Sequence, residues 1–126
     1  MVSVGNHESE CHSFVCQAQK DTLALKLNNF TAYNKRWHMP SASSKGVNNM
    51  WYSFDYGLVH FVSINCETDF ATAEEKDEGD FHEAWLIAGH FGAPGEYLAW
   101  LEADLKQARA AADAGTGRPW IVIGGT

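Results

Sequence analysis

Hydrophobic and polar residues alternate along the chain in a way that predicts three ordered stretches joined by polar connections. Met1 to Val4 is a short apolar piece in which Val2 and Val4 favour a strand, and it runs straight into a Gly5-Asn6 turn. Trp51-Tyr52-Ser53-Phe54-Asp55-Tyr56 and Val59-His60-Phe61-Val62-Ser63-Ile64 are rich in aromatic and β-branched residues, and Gly57 between them supplies the turn of a hairpin. The second strand is apolar on both faces apart from His60 and Ser63, which predicts a central, doubly covered position. After Pro94-Gly95, residues Leu98, Leu101, Leu105, Ala108 and Ala112 recur at helical spacing and predict a helix from about Glu96 to Ala114. Glu96, Glu102 and Asp104 lie toward its start and Lys106 and Arg109 later, as the helix dipole prefers. Gly115 and Gly117 end it, and Arg118-Pro119 leads into Trp120-Ile121-Val122-Ile123, read as a buried strand. Residues 9–30 carry only a weak helical patch at Leu23, Leu25 and Leu27. Asn28 to Asn49, rich in Ser, Asn, Lys and Gly, predicts a long irregular connection. Trp51, Trp100 and Trp120 all fall on predicted core faces.

Composition narrows the function classes. At 126 residues, 45% hydrophobic and 13% aromatic, the chain is the size of one domain or part of a larger one and can bury a core. Its net charge of −7 argues against nucleic acid as a partner, because phosphate backbones attract basic surfaces. No apolar run approaches the roughly 20 residues needed to cross a bilayer, so no membrane partner is expected. Between Glu67 and Glu83 eight acids face one lysine, and this segment alone carries the whole net charge. It reads as a solvated acidic loop over about 67–93, without the ligand spacing of a calcium hand.

Cys11 and Cys16 are five positions apart, a spacing that suits a small disulfide loop, with Cys66 left over. A zinc site with His12 lacks a fourth ligand nearby. Asn29-Phe30-Thr31 is a glycosylation sequon, which matters only on the secretory route, yet the N-terminus has no leader pattern. A core strand at each end predicts that the 126 residues are the middle of a larger fold.

The tightest chemical cluster is Gly5-Asn6-His7-Glu8. Glycine permits a sharp turn, the Asn carbonyl is a neutral oxygen ligand, and an adjacent imidazole can bind metal or move protons near neutral pH. It is followed in order by Asn29-Phe30-Thr31-Ala32-Tyr33-Asn34, Arg36-Trp37-His38-Met39-Pro40-Ser41, and Trp51-Tyr52-Ser53-Phe54-Asp55-Tyr56-Gly57-Leu58-Val59-His60-Phe61. Glu67-Thr68-Asp69-Phe70, Trp100 to Leu105, and Arg118-Pro119-Trp120-Ile121-Val122-Ile123 come next. The series resembles the purple acid phosphatases, a branch of the metallophosphoesterases, and looks closest to their fungal and protist forms. It covers nearly the whole chain except residues 71–93.

This resemblance implies an α/β fold, a β-sandwich flanked by helices in an incomplete four-layer α/β/β/α arrangement, with residues 1–126 forming part of the catalytic domain. It implies a phosphomonoester substrate and two divalent or trivalent metal ions at the strand ends, iron with zinc, manganese or a second iron. Asn6 matches a metal-ligating Asn, and His7 the His that contacts phosphate and protonates the leaving group. Glu8 matches the acidic end of the motif, supporting the others from behind. A secreted or vacuolar setting is also implied, in keeping with the sequon at Asn29 and the Cys11–Cys16 loop.

The departures from the family pattern are as specific. The two upstream Asp motifs are absent, Thr126 stands where a metal-ligating His is expected, and the final GHxH motif lies beyond the end. None of Tyr33, Tyr52, Tyr56 or Tyr97 matches the charge-transfer Tyr. The ligand set in this chain is therefore incomplete, and weak metal binding with little hydrolysis is expected of it. The alternative is an inactive fragment or pseudoenzyme that keeps the scaffold for partner contact. His60, on a core strand, is expected to be a hydrogen-bonded structural histidine rather than a ligand.

Overall fold

The computed structural model describes residues 2–5, 8, 13–19, 22–23, 26, 30–66 and 95–125. Within them the elements run α1 (Phe14–Ala18), α2 (Thr31–Arg36), β1 (Tyr52–Tyr56), β2 (Val59–Ile64), α3 (Glu96–Asp113) and β3 (Trp120–Gly125). The acidic segment 67–93 lies outside the described residues, as does most of the Leu23–Leu27 patch.

The predicted hairpin forms, with Tyr52 opposite Ser63 and Tyr56 opposite Val59 in antiparallel register. Gly57 has φ +58°, the positive φ that a type II′ hairpin turn places at the first of its two loop residues. β3 then joins β2 in parallel, Val59 opposite Trp120 and Ile64 opposite Gly125, so the strand order is β1-β2-β3. β2 is central, as its apolar sequence predicts. A parallel neighbour needs a crossover, and α3 lies on it.

Cross-strand partners share a face, so Ser53, Asp55, His60, Val62, Ile64 and Ile121 lie on one side of the sheet. The core sits on that side. Val62 is buried with Val4, Phe30, Tyr33, Met50, Trp51, Tyr97 and Trp100, and Ile64, Leu101 and Leu105 pack against them. Trp51 and Tyr97 rings meet at 4.9 Å. The Trp100 indole donates to the Ser44 carbonyl at 2.7 Å, which ties α3 to the 41–45 turns.

α3 ends in a Schellman motif: Thr116 N–H bonds the Ala111 carbonyl, Gly115 N–H bonds that of Ala112, and Gly115 holds φ +71°. The predicted face turns inward, with Leu101 and Leu105 packed on the core and Trp100 and Ala108 buried, except at its first position. Leu98 is 49% exposed, while Tyr97, Trp100 and Ala108 are buried. The two aromatics bury more area than Leu98 would, and they turn Asp104 inward, where partners are waiting for it.

Three further expectations are corrected. Residues 2–5 are coil rather than strand, and the Val2 carbonyl accepts from the side-chain hydroxyls of Tyr33 and Tyr52 instead of from a neighbouring strand. The 28–49 connection contains α2, organised by Asn49: its amide donates to Asn34 Oδ1 and the Trp37 carbonyl and accepts from Met39 N–H. β3 is exposed along its whole length, with Trp120 66% exposed rather than in the core. β3 is the sheet's edge strand, and on the face it shares with Tyr56 and Phe61 the segment Val2–Ser3 reaches only the carboxyl end, leaving Tyr56, Trp120 and Val122 exposed.

Candidate functional site

Side-chain hydroxyls bring the N-terminal segment to the carboxyl edge of the parallel pair. Tyr52 donates to the Val2 carbonyl at 2.7 Å, and Tyr33 donates to Asn49 O at 2.9 Å and Val2 O at 3.3 Å. Burial, reinforced by Tyr52 and by the charge of Glu8, pushes the Tyr33 phenol up to about 12, so it remains a donor at any physiological pH. Ser3 Oγ lies 2.9 Å from Ser63 Oγ, one register position before the end of β2. Val2 and Ser3 share a small cavity of about 160 Å³ with Val122 and Gly124. Gly5 therefore follows at the end of the sheet where open α/β folds bind ligands.

There the turn is closed twice. Gly5 N–H donates to Glu8 Oε2 at 2.7 Å, and Glu8 N–H donates to the Gly5 carbonyl at 3.1 Å. A Cβ on residue 5 would stand 2.6 Å from Glu8 Oε2, so any larger residue there would displace the Glu8 carboxylate from this position. Of the residues singled out from the sequence, Asn6, His7, Cys11, Asn29 and Thr126 lie outside the described residues. Cys16 is buried and disulfide-bonded, and Cys66 is an exposed free thiol. Among the described residues no group of three or more His, Cys, Asp or Glu is arranged to hold a metal ion. The described donors thus do not make up a dinuclear centre, and no chemical step is routed through one below.

A second polar site occupies the opposite end of the sheet. It is a groove of about 420 Å³ lined by Lys45, Ser53, Asp55, His60, Asp104 and Arg118, among others. His60 Nδ1 is 2.7 Å from Asp55 Oδ1, and Nε2 is 3.0 Å from Asp104 Oδ2. Ser53 Oγ donates to the other Asp104 oxygen at 2.6 Å, and Arg118 Nε is 3.5 Å from the other Asp55 oxygen. Every carboxylate oxygen is engaged, and both imidazole nitrogens face acceptors. Both ring nitrogens are taken up by carboxylates, and Ser53 bonds Asp104 rather than His60, so this is not a Ser-His-Asp relay. His60 is the satisfied structural histidine expected from its strand. The sequence signal for its partners is an acid in the inward stripe of α3, Asp104, and an acid beside the two-residue turn, Asp55.

No family model matches the chain. An acid phosphatase of Aspergillus ficuum is 42% identical over 60% of this chain and 16% of its own length. Acid phosphatase A of Cryphonectria parasitica is 34% identical over 99% of this chain and 27% of its own. Purple acid phosphatase 22 of Arabidopsis thaliana is 32% identical over 98% of this chain and 20% of its own. The chain belongs to the purple acid phosphatases. It spans about a quarter or less of the length of these relatives. Among its described residues no helix is long and apolar enough to cross a membrane. The Gly5–Glu8 turn and the His60 groove lie at opposite ends of the same sheet.

Proposed function

We propose that this chain supplies part of the catalytic domain of a purple acid phosphatase, which hydrolyses phosphate monoesters at a dinuclear metal centre. The observation that carries the reading is the doubly closed Gly5–Glu8 turn at the carboxyl edge of β2 and β3, in a chain aligned over 99% of its length with a relative named acid phosphatase A. In this reading Asn6 offers a neutral amide oxygen to one metal, and His7 contacts the phosphate and gives its proton to the leaving-group oxygen. Glu8 holds the turn through Gly5 N–H. The two metals, iron with zinc, manganese or a second iron, supply the charge that activates water when bound. Their remaining ligands come from elsewhere in a longer chain, and Thr126 replaces one of them.

The exposed apolar face of Tyr56, Trp120 and Val122 supports a second sheet packed there, completing a four-layer α/β/β/α sandwich. The disulfide at Cys16 supports a secreted or vacuolar protein, glycosylated at Asn29. The test is metal titration with p-nitrophenyl phosphate turnover. The 126-residue chain alone is expected to bind metal weakly and turn over little. In an extended chain carrying the upstream and downstream motifs, His7→Ala is expected to lower kcat by about 10²-fold or more while substrate still binds. Robust metal-dependent turnover by the short chain, or an active His7→Ala in the long one, overturns the reading.

A further inference from the structure

We propose that Asp55, His60 and Asp104 form an acid-pH latch, in which a doubly protonated His60 fastens the turn end of the β1–β2 hairpin to helix α3. The inference goes beyond phosphate hydrolysis and stands without it. Its basis is geometric. The two ring nitrogens lie 2.7 and 3.0 Å from oxygens of two different carboxylates, one on β1 and one on α3. A neutral imidazole has one N–H and can serve only one of them; only the imidazolium donates to both. Loss of that proton leaves one carboxylate facing a nitrogen lone pair, with two like charges on either side of an uncharged ring.

The other charged groups at the groove do not substitute for it. Arg118, just before β3, reaches only the far oxygen of Asp55, and Lys45, on the 41–45 turns, lines the groove. Ser53, on β1, neutralises nothing when it bonds Asp104. Burial pushes His60 downward, but its hydrogen bonds to Asp104 and Asp55, with their charges, outweigh that and hold it above the ordinary 6.5. The sign follows. Below about 6.5 His60 is protonated in folded and unfolded chain alike, and the latch contributes in full. Above that, the folded chain keeps a proton that the unfolded chain releases, so stability falls until His60 titrates.

The experiment is a pH titration of the full chain with 15N-labelled histidine, paired with unfolding temperatures of the unsubstituted chain, His60→Gln and Asp104→Asn. The His60 nitrogens are expected to keep imidazolium shifts above the pH at which an ordinary histidine loses them, and the midpoint is expected to move down in Asp104→Asn. The unfolding temperature is expected to fall between about pH 6.5 and that midpoint and to level off above it, and His60→Gln is expected to flatten the fall. A His60 midpoint at or below the ordinary value overturns the latch, which is also what an unfolded chain would give. So does a His60→Gln variant that keeps the same pH slope.

Discussion

Asn49 shows how much one buried amide can organise. It is 7% exposed and spends both amide functions on three partners around the end of α2. Asn49→Ala leaves the Trp37 carbonyl and Met39 N–H without those partners and is expected to destabilise the chain by about 2–4 kcal/mol, read by urea denaturation. The Gly5–Glu8 closure is smaller and exposed. Gly5→Ala pushes the Glu8 carboxylate off its N–H, and Glu8→Ala removes the same bond. Each is expected to cost about 1 kcal/mol, and the double variant little more, because both delete one interaction. Tyr33 gives a pH signature. With its phenol raised from 10.0 to about 12, the folded chain holds a proton that the unfolded chain loses, so stability falls between these values. Alkaline denaturation of Tyr33→Phe is expected to lack that component.

At the scale of elements, α3 tests its own stop signal. Gly115 holds φ +71° in the Schellman motif, so Gly115→Ala is expected to cost about 1 kcal/mol in chemical denaturation. The hairpin and this helix were legible because their signals are local: β-branched runs around a glycine, and a long apolar period closed by glycines. The first turn of α3 was not, because counting apolar positions ignores size and partners. Tyr97 took the buried place expected of Leu98, and Asp104 turned inward to meet Ser53 and His60. α2, six residues long, makes fewer than two turns and leaves no period to detect. The site was half legible. Gly5-Asn6-His7-Glu8 could be read from residue order, whereas its anchoring by Tyr33 and Tyr52 depends on contacts 31 and 50 positions apart.

For the whole molecule, β3 decides behaviour in solution. Apolar sequence says what a strand prefers, not what covers it, and Trp120 to Ile123 remain exposed on an edge strand without a charge. Such an edge templates pairing with another chain, and its face offers Trp120 and Val122 for burial. The chain is expected to self-associate at micromolar to millimolar concentration, as light scattering would detect. Val122→Lys places a charge in the middle of that face and is expected to suppress the association, while Leu98→Lys, equally exposed but on α3, leaves it unchanged. If both substitutions act alike, net charge rather than the edge governs solubility, and the exposed face loses its standing as the seat of a second sheet. If only Val122→Lys acts, the same surface that a longer phosphatase chain would cover is the one that drives the short chain to associate.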